Sequence, residues 1–295
     1  MKRFGTWWVG VWACAAMVAA AAGVARGGEA VVELPREGME VYPDAVAGIA
    51  KGDPLPKFWF PVGEEVEYHV TWMGMTVGTG TARVDWCEEG EEGRRFIEIV
   101  VEAESNGLVE MLYPVKEVMR TVVDPYSFLP LSFEKNSHEG RHHRHEITEY
   151  DHAAGKATWR SLIKEKGGEF DIARDMRDLM SQMYWIRHDP VKKVGEVKHY
   201  DVATDNKVYE MILTAQKEEK VKLPKYGKVD CLKIEPEGKF DGLFIRKGRM
   251  WVWIKPDKRY TIAKMAASVP VADIKIILED VRGPGRDFWI TGKKK

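Results

Sequence analysis

Cysteine is scarce in this chain. Of 295 residues only Cys14, Cys87 and Cys231 carry a thiol, and none are spaced as a Cys-x-x-Cys pair. His-Glu-x-x-His and a glycine-rich phosphate loop are absent too, which leaves no recognisable metal-hydrolase or nucleotide signature. Ser181 lacks the Gly-x-Ser-x-Gly elbow that would hold a nucleophile strained and exposed. An excess of charge of one sign is also missing. Forty-five Lys and Arg stand against 46 Asp and Glu, so no concentrated basic face points to nucleic acid. These absences exclude most sequence-legible chemistry, and no cofactor is implied.

A long apolar run occurs at the N-terminus. Lys2 and Arg3 precede an uncharged, Ala-rich stretch from Trp7 to Val24, and small residues follow through Ala30. This order of basic head, apolar run and small-residue exit is that of a cleaved secretory signal, here residues 1–30. A retained anchor is the rival reading, because the run is near bilayer-spanning length. Cys14 would be the acylation point of a lipoprotein, but the bulky Trp12 and the continuing apolar run argue against it. Loss of residues 1–30 removes Lys2, Arg3, Arg26 and Glu29, taking the net charge from −1 to −3. The expectation is a periplasmic or otherwise exported protein. There Cys87 and Cys231 can pair as a disulfide or remain two separate buried thiols.

Residues 31–57 carry Pro35, Pro43, Pro54 and Pro56 and read as an extended leader. From Phe58 onwards the signal is period two, as in Glu67-Tyr68-His69-Val70-Thr71-Trp72, which puts alternate side chains on opposite faces of a strand. Similar segments recur at Arg95–Glu104, Glu117–Val123, Leu129–Lys135, Arg141–Tyr150 and Lys156–Ile163. After a break they resume at Val197–Thr204, Val208–Lys220, Val229–Glu235, Arg249–Ile254, Thr261–Ser268 and Ile274–Val281. Short links such as Ala154-Gly155, Gly167-Gly168, Lys225-Tyr226-Gly227 and Gly238 read as hairpin turns between antiparallel neighbours. Arg174–Arg187 alone has helical spacing, with Asp171 or Asp175 placed to cap it. The expected fold is mainly β over residues 58–282, ahead of a basic tail at 283–295. It is a large curved antiparallel sheet or half-open barrel, with one α-helix packed across it.

Several landmarks carry a resemblance. Phe60-Pro61-Val62-Gly63-Glu64 precedes Tyr68-x-Val70-x-Trp72-x-Gly74, and Asp178-x-x-Ser181-x-x-Tyr184-x-x-Arg187-x-x-Pro190 follows later. Gly227-x-x-x-Cys231-x-Lys233-Ile234-x-Pro236 and Trp251-x-Trp253 with Asp257 and Arg259 complete the set. In this order, across residues 58–281, they resemble the bacterial exported domain-of-unknown-function family numbered 3108. The resemblance implies an envelope protein with one large β domain and no established activity, so no catalytic residue carries over. Its outline is similar to the lipoprotein-carrier type of half-barrel, a likeness of fold only. Tyr260 departs from the pattern, standing where proline is expected, so the strand there begins differently.

Two constellations remain. His138, His142, His143, His145 and His152 fall within fifteen residues. His143 and His145 share a strand face and could converge on a metal, although Arg141 and Arg144 would repel it and Glu146 faces away. Otherwise the segment is a solvated polar strand. Met and Trp supply the second constellation. A concave sheet and a Met-rich helix would enclose an apolar cleft, with Trp72, Met180, Met183, Tyr184, Trp251 and Trp253 as candidate lining. The tryptophans are alternatively plain core. The leading expectation is a non-enzymatic binding or carrier module for a lipid-like ligand or an envelope lipoprotein, with contact to a membrane surface left open. Its rivals are an envelope scaffold without a small-molecule site and a metal-dependent hydrolase using the histidine cluster.

Overall fold

A computed structural model describes residues 48–89, 93–204, 206–238, 249–269 and 272–289. The signal-like segment, Cys14 and the end of the basic tail lie outside them. Fifteen strands form one sheet: β1 (Glu65–Trp72), β2 (Met75–Glu89), β3 (Arg94–Ser105), β4 (Val115–Val123), β5 (Pro130–Glu139), β6 (His142–Asp151), β7 (Lys156–Ser161), β8 (Lys166–Asp171), β9 (Arg177–Asp178), β10 (Val197–Thr204), β11 (Lys207–Leu223), β12 (Gly227–Gly238), β13 (Arg249–Ile254), β14 (Ile262–Val269) and β15 (Ala272–Arg282). Two meanders, β1 to β8 and β15 back to β9, join where β1 pairs with β15 at the centre. Among the described residues every pairing is antiparallel except that of β9 with β10. The short links dictate this, since a parallel neighbour needs a long crossover.

Alternation decides which face is buried. On β1, Val66, Tyr68 and Val70 point inward, while Glu65, Glu67 and His69 do not. The open sheet curls on itself, as large twisted sheets do. Its β9 edge reaches the other meander, where Thr121 of β4 donates to Asp178 Oδ2 at 2.7 Å. Arg177 Nη2 likewise donates to the Ser127 carbonyl at 3.2 Å.

The described residues hold two α-helices rather than one. A six-residue helix, α1 (Gly107–Leu112), links β3 to β4. The other, α2, spans only Leu179–Trp185 and not 174–187. Its cap is Asp178, neither Asp171 nor Asp175. Asp178 Oδ1 accepts from the Met180 and Ser181 amides at 2.7 and 3.0 Å, the donors an N-cap satisfies. The residues before it are drawn into β9 by pairing with Val202 and Ala203, which overrides their helical spacing.

Gly167 and Gly168 do not form a turn; they lie within β8. A Cβ on Gly167 would stand 2.6 Å from the Trp159 carbonyl oxygen, so the glycine serves close strand approach. Tyr260 adopts φ +47° just before β14. Proline is locked near −65°, so the departure from the expected proline follows from the backbone. Part of the 31–57 leader is held against the domain: Ile49 is buried and bridges Arg95 on both backbone bonds at 2.9 Å.

The inner face of the first meander also buries charge. Lys135 of β5 lies opposite Glu146 of β6, and its Nζ is 3.7 Å from Glu117 Oε1. All three residues are buried. Burial raises the Glu117 carboxyl to about 7, against the opposing pull of Lys135. A carboxyl whose folded pKa exceeds its unfolded one stabilises the protein in acid and loses that contribution as pH rises from 4.5 to 7. The loss amounts to about 3 kcal/mol. Urea midpoints measured from pH 5 to 7 should therefore fall more steeply in the native chain than in Glu117→Gln. His152 is buried with its pKa lowered by desolvation; its opposite slope is common to both proteins and cancels in the comparison.

Candidate ligand cavity

The cavity arises from small residues at cross-strand positions. Tyr68 of β1 pairs with Gly80 of β2, which pairs with Ala103 of β3. The adjacent row is Val66, Ala82 and Val101. Paired residues share a face, so Gly80, Ala82 and Ala103 together leave a shallow bay in the inner surface. Helix α2 crosses above it with Met180, Met183 and Tyr184, and Met265 of β14 and Ile276 of β15 complete the wall. The bay and its cover leave a partly open cavity of about 100 Å³. Such a space suits one flexible chain rather than several. Methionine is unbranched and re-packs readily, so it can cover chains of different shape.

One charged assembly stands in this wall. Arg187, just after α2, donates from Nη1 to Glu64 Oε1 at 2.8 Å and from Nε to the Arg259 carbonyl at 2.8 Å. Its guanidinium lies 5.2 Å from the Tyr184 ring centroid. Side-chain exposure is 7% for Arg187 and 1% for Glu64. Burial is the largest influence and opposes the arginine's charge, but its surroundings together, Glu64 first among them, hold the pKa up. Tyr68 and Tyr184 are pushed upward by burial, so both remain neutral phenols. The Tyr68 hydroxyl donates to the Ile262 carbonyl at 3.1 Å. Among the described residues, Arg187 Nη2 and Thr261 Oγ1, buried atoms of two lining residues, have no hydrogen-bond partner.

The family model for the protein of unknown function DUF3108 matches residues 67–279, which include most of this wall. The chain belongs to the DUF3108 family. No curated protein matches it. Among solved structures, it is similar to a β-barrel-like DUF1849 protein from Brucella abortus at 11% identity and TM-score 0.49, covering 75% of this chain and 97% of that one. A YmcC-like-fold protein described as exported, from Bacteroides fragilis, matches at 12% identity and TM-score 0.31, over 76% and 97%. A protein described as a lipoprotein from Parabacteroides distasonis has 12% identity and TM-score 0.31, over 76% and 98%.

In this DUF3108 member the candidate residues divide. Met180, Met183 and Tyr184 lie together in the cavity wall, whereas Trp72, Trp251 and Trp253 lie outside it. Trp253 is buried in the core that includes Tyr68 and Leu278, and Trp72 and Trp251 pack against that core. The Trp253 indole donates to Glu219, and Lys264 Nζ sits 4.0 Å over its ring. The side chains of β12 and β14 thus occupy both indoles of β13, because Lys233 Nζ lies 4.3 Å over Trp251.

The histidines scatter. His143 faces His138 across the β5–β6 ladder with ring centroids 4.2 Å apart. His145 Nε2 bonds Glu134 Oε1 at 2.7 Å. His152 is buried elsewhere, with its ring nitrogens against the Pro130 and Arg174 carbonyls at 2.8 and 3.0 Å. No group of three or more His, Cys, Asp or Glu able to hold a metal occurs among the described residues. Ser181 is fully buried, and its hydroxyl donates to Asp178 rather than facing a cleft. Cys87 and Cys231 are free thiols, not a disulfide. They lie on β2 and β12, with β1, β15, β14 and β13 between them in the sheet. Burial pushes Cys87 to about 11 and Cys231 to about 12, which makes both poor nucleophiles.

Three parts of the site were not read from sequence: the small-residue row, the Glu64–Arg187 pair and Thr261. The first had a signal in Gly78-Thr79-Gly80-Thr81-Ala82, where a buried strand would ordinarily carry bulk on alternate positions.

Proposed function

We propose that this protein is a non-enzymatic binding module for a single apolar chain and acts outside the cytoplasm. The observation that carries the reading is the bay of Gly80, Ala82 and Ala103 beneath Met180 and Met183. A gap walled by apolar groups and covered by adaptable ones favours transfer of hydrocarbon from water, at about 0.8 kcal/mol per methylene buried. The N-terminal sequence pattern supports export. A single chain fits the space better than a multiply acylated lipoprotein anchor does.

The processed protein, isolated from the compartment to which it is delivered, should release an apolar small molecule on solvent extraction. When stripped, it should bind the fluorophore N-phenyl-1-naphthylamine with blue-shifted emission. A protein that releases no apolar molecule and binds no probe would overturn the reading. A scaffold role draws on a different feature. Met73 and Met75 at the β1–β2 turn and Met111 and Leu112 of α1 are exposed, and such apolar residues suit a contact with another envelope component. Probe binding separates the two, since a scaffold leaves the cavity without a use.

A further inference from the structure

The β1–β2 turn carries a residue that its backbone does not favour. Met73 and Gly74 form a two-residue turn closed by the Trp72–Met75 pair, and both have positive φ, +50° and +81°. Asn, Asp or Gly ordinarily fills such a turn, and a long side chain there is strained. Met73 gives the fold little in return, since 67% of it is exposed. Met75, Met111 and Leu112 are exposed as well, at 58%, 81% and 76%. In an antiparallel meander the β1–β2 and β3–β4 connections stand side by side at one end of the sheet. Asn106, just before α1, donates to the Val77 carbonyl of β2 at 3.0 Å. The four side chains thus belong to one apolar rim.

Unmatched positive charge lies beside that rim. Lys233 of β12 and Lys264 of β14 flank Trp253 of β13. Lys275 of β15 is diagonal to Lys264 on the same face, opposite Ala266 and Thr71. Thr71 alternates with the inward Val70, so this face is the outer one. None of the three lysines forms an ion pair with a described carboxylate, Asp273 included. Glu219 is engaged by Lys217 at 2.6 Å and by the Trp253 indole. Burial first, then Lys275 and Lys233, depress the Lys264 pKa against the pull of Glu219, as expected of cations crowded without a counter-ion.

We propose that this end of the sheet docks on an anionic lipid surface. Met73, Met75, Met111 and Leu112 enter the apolar layer, and Lys275, backed by Lys264 and Lys233, meets the phosphates. The spacing fits. Lys275 is level with Thr71, two residues from Met73, or about 7 Å along the strand. A headgroup layer is about 5–7 Å thick, so methionines just inside the hydrocarbon place Lys275 among the phosphates. Lys264 lies level with Ile277, two residues further back, within the distance of about 10 Å over which charge acts at moderate salt. A fluid surface receives flexible methionines at any spacing, whereas a protein partner would need matching pockets. This docking does not depend on what the cavity holds.

Flotation of the processed full-length protein with vesicles tests it, using phosphatidylcholine alone or mixed equally with phosphatidylglycerol. Binding should be strong only on the mixed vesicles and should weaken as salt rises. Lys275→Gln should weaken it about fivefold. Lys51→Gln, beside the Ile49–Arg95 bridge at the other end of β3, should leave it unchanged. Met73→Asn should weaken binding about tenfold while the thermal midpoint holds or rises, because asparagine suits a positive φ. Gly80→Leu, which fills the bay, should bind vesicles as the native chain does, so failure of this docking and failure of the cavity reading are told apart. Binding to neither vesicle, equal binding to both, or an unchanged affinity in Met73→Asn or Lys275→Gln overturns the proposal.

Discussion

Arg187→Met should destabilise the protein by about 3–5 kcal/mol, the loss expected when one partner of a buried ion pair is removed. Glu64 has 1% of its side chain exposed and would be left as an unmatched carboxylate. The same substitution deletes the bond from Nε to the Arg259 carbonyl. Those two contacts span 123 and 72 residues of sequence. They tie the end of α2 both to the entry of β1 and to the loop before β14, so the lid and the two meanders share one anchor. Gly285, in the 3-10 turn Gly283–Trp289, lies against the same assembly and accepts from Arg259 Nη1 at 3.1 Å. Adding Glu64→Leu to Arg187→Met should recover most of the loss, because a buried ion pair exchanged for apolar groups is often neutral. Denaturation midpoints of both single variants and the double variant would measure the coupling. Additive losses would show that the pair does not act as a unit.

The parts of the fold legible in sequence are those that depend on near neighbours. Period two in Glu67–Trp72 predicts which side chains of β1 turn inward, and the structure buries Tyr68 and Val70 accordingly. The one-sheet, antiparallel architecture follows from the short links. Errors concentrate where a distant residue decides. The start of α2 shifts to Leu179 because pairing with Val202 and Ala203 holds Arg177 and Asp178 extended. Gly167 reads as a turn until the Trp159 carbonyl is seen beside it. Cys87 and Cys231 each look strand-borne, which is right, but strand order rather than strand identity separates them.

The cavity shows the same division. Met180, Met183 and Tyr184 are visible as an apolar helical stripe. Their counterpart, the row through Tyr68, Gly80 and Ala103, needs the register of three strands, which a single sequence does not specify. The pairing of Arg187 with Glu64, across 123 residues of sequence, is not legible at all, although residues of this type are almost never fully buried unless paired.

Gly80→Leu should abolish or greatly weaken ligand binding without harming the fold. A Cβ at position 80 would meet only the Glu102 carbonyl oxygen, at 3.6 Å, which is ordinary contact. Its backbone is not in the left-handed region that favours glycine, so leucine is admitted without strain. The new side chain would project onto the face shared with Tyr68 and Ala103, into the space the ligand needs. Filling that space replaces ligand contacts with internal ones, and removing a glycine from a strand interior is itself worth about 0.5–1 kcal/mol. The thermal midpoint should therefore hold or rise while N-phenyl-1-naphthylamine affinity drops by about tenfold or more, a difference of about 1.4 kcal/mol. Thr79→Leu, one residue away and on the opposite face of β2, should change neither quantity. Loss of binding with a preserved midpoint in Gly80→Leu alone can come only from occupation of the bay, since the fold and the strand's other face are both controlled. Equal affinity in the native chain and Gly80→Leu would place the probe elsewhere and remove the cavity from the function.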